Sequence, residues 1–147
     1  MIRYHFQATL HLRPADVPAG PTWRSRGLSF ETLAPAPGHL AVGFDRTFEQ
    51  VADALGAIDR MFFEPDGSFV WVVDGPTGRS QLDGMLYDRD GRLLYVELKG
   101  TCTPDELDAV LTTLGWPSAQ ILFQLQREAV FLAEPDFRRF AAQAAIP

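Results

Sequence analysis

Cysteine is almost missing from this chain of 147 residues: Cys102 stands alone, so no disulfide can form within it, and a reducing cytoplasm is the expected home. Lysine is just as scarce. Lys99 is the only one, and every other basic side chain apart from histidine is arginine. No apolar run approaches the roughly 20 residues that a membrane span requires. The opening stretch MIRYHFQATLHLRP alternates too strictly for the continuous apolar segment of a signal peptide. A basic footprint is lacking as well. A net charge of −6 and a pI near 4.9 argue against a dedicated nucleic-acid partner. Nor is there a glycine-rich phosphate loop, a zinc-ligand spacing or a serine nucleophile elbow.

What is present is a composition with 46% hydrophobic residues, which excludes disorder and at this length suits one domain, residues 1–147, around a single core. Residues 2–13 alternate, with Tyr4, Phe6, Ala8 and Leu10 on one side and His5, Gln7, Thr9 and His11 on the other, predicting a long half-buried strand. His5 and His11 are expected to be solvated, too far apart to grip one ion without a third ligand. Proline and glycine mark loops at 14–21 and 34–38, with a strand expected at 28–33 and a short one at 39–44.

Thr47 with Gln50 forms a capping box that opens a helix, and Thr103-Pro104-Asp105-Glu106 opens another. The stripe Phe48, Val51, Ala52, Leu55, Ile58 and the stripe Leu107, Val110, Leu111, Leu114 should face the core. Strands are expected at 61–63, 69–73, 121–125 and 129–132, and a final helix at 135–144. The expected order after the N-terminal strands is helix, three strands, helix, two strands, helix. This is an α+β fold: an antiparallel-rich sheet with about three helices mainly on one face.

Residues 81–100, QLDGMLYDRDGRLLYVELKG, read as two strands joined by a tight turn. A two-residue loop at Asp90-Gly91 would place Asp83 and Glu97 on different faces. A three-residue loop, Arg89-Asp90-Gly91, fits the type I turn preferences of Asp88 and Gly91, and would set Asp83 directly opposite Glu97 with Lys99 on the same face. The three-residue loop is the expectation. It puts Leu82, Leu86, Leu94, Val96 and Leu98 towards the core and Leu93 on the mixed face.

Asp83 on the second strand of the helix, three-strand, helix, strand segment, followed by Glu97-Leu98-Lys99 on the third, resembles the PD-(D/E)XK nuclease superfamily over about half the chain. The resemblance implies Asp83, Glu97 and Lys99 as catalytic residues. It also implies Asp83 and Glu97 as ligands of Mg2+ or Mn2+, with a helical acid, Glu49 or secondarily Asp53, as a further ligand. Hard carboxylate oxygens suit such ions, which can activate water for phosphodiester hydrolysis. The chain departs from the pattern in having Leu82 where proline is common. The plainer alternative is a cross-strand charge cluster on a solvated sheet face.

Three functional classes follow. The first is a non-catalytic interaction or adaptor domain with a protein partner or a second copy of itself, and the second is the metal-dependent phosphodiesterase. The third, on size, acidity and element order, is a secretion-chaperone-like dimer. Cys102, just before a helix start, is expected to pack on Leu107 rather than react.

Overall fold

The strict alternation at the N-terminus becomes the middle of the molecule. In the computed structural model, which describes residues 2–144, strand β1 (Tyr4–Leu12) has four strands on either side of it in one nine-stranded sheet. The elements in chain order are β1, β2 (Ala19–Ser25), β3 (Leu28–Leu33), α1 (Pro37–Leu40), α2 (Phe48–Gly56), β4 (Met61–Phe63), β5 (Ser68–Gly75), β6 (Gly78–Arg89), β7 (Arg92–Cys102), α3 (Pro104–Thr113), β8 (Ile121–Leu125), β9 (Val130–Ala133) and α4 (Glu134–Ala144). The sheet runs β2-β3-β9-β8-β1-β7-β6-β5-β4, and every neighbouring pair is antiparallel. The protein is therefore α+β, as its sequence pattern predicts.

Three helices cover one face. Val51 and Leu55 of α2, Leu107, Val110 and Leu111 of α3, and Phe137 and Phe140 of α4 join Phe6, Leu10, Leu82, Val96 and Leu98 of the sheet in a single buried cluster. Both capping boxes form: Thr47 and Gln50 bond reciprocally, as do Thr103 and Glu106. Arg138 fastens α4 to α3, donating to Glu134 at 2.9 Å and to Asp108 at 2.6 Å while lying over the Trp116 ring. Cys102 is fully buried in the same cluster, and burial pushes its thiol up to about 12, which keeps it protonated and unreactive at neutral pH. No helix among the described residues is long and apolar enough to cross a membrane.

The N-terminal half and the central hairpin depart from expectation. Residues 19–21, inside the loop that proline and glycine predict at 14–21, instead begin β2, an edge strand, where proline is tolerated because one side needs no ladder bonds. The strand expected at 39–44 is instead one helical turn, α1, with His39 Nδ1 accepting from the Ala36 amide. Met61–Phe63 pairs with β5, so four strands rather than three separate α2 from α3.

The central turn is the two-residue loop, not the three-residue one. Arg89 pairs with Arg92, and Asp90 and Gly91 both take positive φ, 53° and 84°. A bulge then follows, because Asp88 faces Leu93 while Tyr87 faces Tyr95, leaving Leu94 without an opposite number. Its cause lies far away in sequence. The backbone of Leu93 bonds to the segment leading into α2, accepting from Phe44 at 2.8 Å and donating to Arg46 at 3.0 Å. Leu93 is drawn fully into the core and Leu94 is turned outward, the reverse of the sequence expectation.

Candidate functional site: the helix-free face of the sheet

The bulge adds one residue to the two-residue register and so restores the face on which Asp83, Glu97 and Lys99 were expected to meet. Their order differs. Asp83 lies opposite Lys99, and Glu97 lies opposite Met85. Three rows of side chains cross the open face. One runs Val70, Asp83, Lys99, Gln7; the next Ser68, Met85, Glu97, Thr9, Gln124, Phe131; the last Tyr87, Tyr95, His11, Leu122, Ala133.

Asp83, Glu97 and Lys99 line one depression of about 210 Å³, together with Gln7, Met85 and Gln126. Gln81 donates to Asp83 at 3.1 Å. Tyr87 donates its hydroxyl to Glu97 at 2.5 Å and stacks on Tyr95 at 4.7 Å; that hydrogen bond to a carboxylate pushes the Tyr87 phenol up to about 12. Among the described residues Lys99 has no hydrogen-bond or ion-pair partner. Gln126 Nε2 donates to Thr9 Oγ1.

Glu49 and Asp53 do not join this group. Both are exposed on α2, whose Val51 and Leu55 hold it to the other side of the sheet. Asp83 and Glu97 thus share one face in diagonal positions, and the described residues contain no group of three or more histidine, cysteine, aspartate or glutamate residues arranged to hold a metal ion.

The depression continues in both directions. Towards one end, His5, Gln7, Asp83, Lys99 and Arg127 line a hollow of about 510 Å³ that passes round the end of the sheet to Ser25 and Arg26 at the β2–β3 turn and to Phe140 and Gln143 of α4. Towards the other, Thr9, His11, Leu40, Tyr95, Glu97 and Gln126 line a hollow of about 350 Å³. The segment carrying α1 borders this second end through Leu40 and is held in place by Ala34 donating to Pro18 and by His39 facing Asp16 at 3.4 Å.

His11, which its position predicts to be solvated, is only 6% exposed, flanked by Gln124, Tyr95 and Phe131. Its Nε2 lies 2.9 Å from Gln124 Oε1, while Nδ1 has no partner. Burial lowers the pKa of His11 below its ordinary value of 6.5, against the weaker opposing effect of the Gln124 bond. As pH falls through 6.5 the unfolded chain therefore takes up a proton that the folded His11 resists. Stability from this group is complete above that pH and declines below it. Urea midpoints at pH 7.5 and 5.5 should separate more for wild type than for His11→Gln, which keeps an amide for Gln124 but cannot titrate. Equal separations would show that His11 is not held neutral.

The fold and this face define an α+β domain with a long open trough on its uncovered side. In comparison with known proteins, no family model matches the chain, and neither a curated protein nor a solved structure matches it significantly. Sequence pattern alone points to Asp83, Glu97 and Lys99. It takes His11 as solvated and passes over the Tyr87–Tyr95 stack, whose only advance signal is the shared face of its strands, and Gln126, which lies in the turn after β8.

Proposed function

We propose that this protein is a non-catalytic interaction domain whose sheet face opposite α2 and α3 receives an extended segment of a partner protein. The observation that carries this is the linkage of the three hollows. The middle one shares Gln7, Asp83 and Lys99 with the 510 Å³ hollow, and Glu97 and Gln126 with the one beside α1. From His5 to His11 along β1 the trough spans six residue steps, or about 20 Å at ~3.3 Å per step, the length of a short extended peptide. Gln7, Gln124 and Gln126 each offer both a donor and an acceptor, which suits the alternating amides and carbonyls of a peptide backbone. Phe62 and Val70 lie exposed on the same side of the sheet, beyond Asp83.

Selection from a displayed library of random dodecapeptides tests this. Enriched peptides should lose at least about tenfold in affinity for Gln126→Trp, which fills the trough, and bind Glu49→Gln on the helix side as they bind wild type. No enrichment, or peptides indifferent to Gln126→Trp, would refute it. A second copy of the chain on this face would instead show as a concentration-dependent dimer in sedimentation, abolished by the same tryptophan.

A second function, metal-dependent phosphodiester hydrolysis, is favoured by one fact: Asp83, Glu97 and Lys99 share the 210 Å³ hollow. Asp83 and Glu97 would hold a magnesium or manganese ion, which would supply Lewis acidity and an activated water. Lys99 would set its ammonium towards the substrate's charge. Calorimetric titration with manganese separates the two functions. Heat of binding in wild type that vanishes in Asp83→Ala supports the hydrolase, and no heat in wild type rules it out.

A further inference from the structure

Strand β1 outruns one of its neighbours. β8 ends at Leu125, which pairs with Ala8, whereas β7 accompanies β1 as far as Tyr4. Successive residues of an antiparallel strand turn their N–H and C=O towards opposite neighbours. Arg13 donates to Gln120 at 2.8 Å and Gln7 accepts from Gln126 at 3.4 Å, so the odd-numbered residues of β1 face the β8 side. Past that last, long bond β1 has no strand on this side. Among the described residues nothing hydrogen-bonds the backbone N–H or C=O of His5, or the backbone N–H of Gln7.

These groups border the hollow of about 510 Å³, which is lined by His5, Phe6 and Gln7 of β1. Its walls are Arg127 and Glu128 of the β8–β9 turn, Phe140 and Gln143 of α4, and the tip of the β2–β3 hairpin. Gln143 donates to the Ser25 carbonyl at 2.7 Å and Arg26 to the Gln143 carbonyl at 3.1 Å, which ties that tip to the end of α4. A chain laid here would continue the line of β8, with α4 beneath it and the open face above. Unpaired strand backbone is matched by another extended backbone. Charge adds a preference. Arg26, Lys99 and Arg127 line the hollow against Asp83 and Glu128, a local excess of cations in a chain whose net charge is −6. Lys99 and Arg127 have no hydrogen-bond or ion-pair partner among the described residues, while Asp83 already accepts from Gln81.

We infer that His5–Gln7 of β1 is a strand-addition site, where an acidic extended segment of a partner protein pairs its backbone with His5 N–H, His5 C=O and Gln7 N–H and turns a carboxylate towards Lys99 and Arg127. Side chains of such a strand alternate between faces, one set towards Phe140 and the other towards the two cations, so the segment alternates apolar with acidic residues. A lone chain suits the site better than a second copy of the domain, whose own β1 edge is recessed between the same turn and hairpin. The site is an edge of the sheet and stands or falls separately from the open face, although the two share Gln7, Asp83 and Lys99.

Amide hydrogen exchange of 15N-labelled wild type tests the premise with no variant and no ligand. His5 and Gln7 should exchange at least about tenfold faster than Phe6 and Ala8, which bond to β7. Equal protection of all four overturns the inference. Dodecapeptides from the displayed library are the probe for binding. At saturation they should slow His5 and Gln7 about tenfold, and methylating their amide nitrogens one at a time should weaken binding about tenfold at alternate positions only. Lys99→Gln combined with Arg127→Gln should remove the preference for acidic peptides. Peptides that are sensitive to Gln126→Trp but leave His5 and Gln7 exchange unchanged overturn strand addition and leave the open face standing. Peptides that protect His5 and Gln7 yet ignore Gln126→Trp support strand addition and bring down the open face. Slowing of the same two amides with protein concentration alone would put a second copy there and overturn the inference.

Discussion

Replacing Gly100 by alanine is expected to cost roughly 3–5 kcal/mol, most of the stability of an ordinary domain. Gly100 has φ +136°, and a Cβ placed there would sit 1.9 Å from the carbonyl oxygen of Gln81 and 3.2 Å from Cα of Leu82. Both neighbours are backbone. Neither can yield, because β6 is held on its far side by β5 and β7 by β1. Strain from the conformation and overlap with the ladder therefore add. Gly91→Ala is the control: its φ is +84° but no atom lies within 4 Å of the added carbon, so strain alone should cost about 1 kcal/mol. Urea midpoints for the two variants test this. The contact exists only in the register that pairs Leu82 with Gly100, which is also the register that sets Asp83 beside Lys99. A Gly100→Ala variant as stable as Gly91→Ala would mean that the register, and with it the floor of the trough, is different.

Truncating Phe137 to alanine should destabilise the fold by about 3–5 kcal/mol, against about 1 kcal/mol for Phe137→Leu. Phe137 is fully buried on α4. Its ring lies 3.9 Å from that of Phe123 in a stack and 5.0 Å from Phe6 edge-on, so one side chain ties the terminal helix to the two central strands β8 and β1. The deletion removes a whole ring from a site whose walls are other rings in regular elements, so collapse around the void is limited. Denaturant unfolding of the three proteins checks the ordering. A loss below about 1.5 kcal/mol for the alanine would show that α4 is an appendage rather than the lid of the core.

Most of the scaffold was legible because it rests on local physics. Tyr4, Phe6 and Leu10 announce β1 through period-two burial, and Thr47 and Thr103 announce their helices through caps that then form, Thr47 with its predicted partner Gln50. The central hairpin was legible only in part. Its loop length turned on whether Asp90, a residue without glycine's freedom, would take positive φ. Its register turned on the bulge at Leu94, whose cause is the backbone of Phe44 and Arg46, nearly fifty positions earlier. Two displacements of opposite consequence therefore left Asp83, Glu97 and Lys99 on a common face while exchanging Leu93 with Leu94. His11 was misjudged for a related reason. Alternation identifies the face a side chain takes, but His11 is buried on that face by its cross-strand neighbours Gln124, Tyr95 and Phe131, which alternation does not weigh. Glu49 was assigned by its place before the strands, whereas the apolar stripe of its helix decides which side of the sheet it occupies.

The central claim is that the uncovered face, not the helical side, is where this domain meets its partner. Titration of a library-selected peptide into 15N-labelled protein, followed by backbone amide shifts, tests it most directly. The expected perturbations cluster at Gln7, Thr9, Asp83, Glu97, Lys99 and Gln126 along the trough. Perturbations confined to α2, α3 and α4, with those six residues unmoved, would contradict the claim.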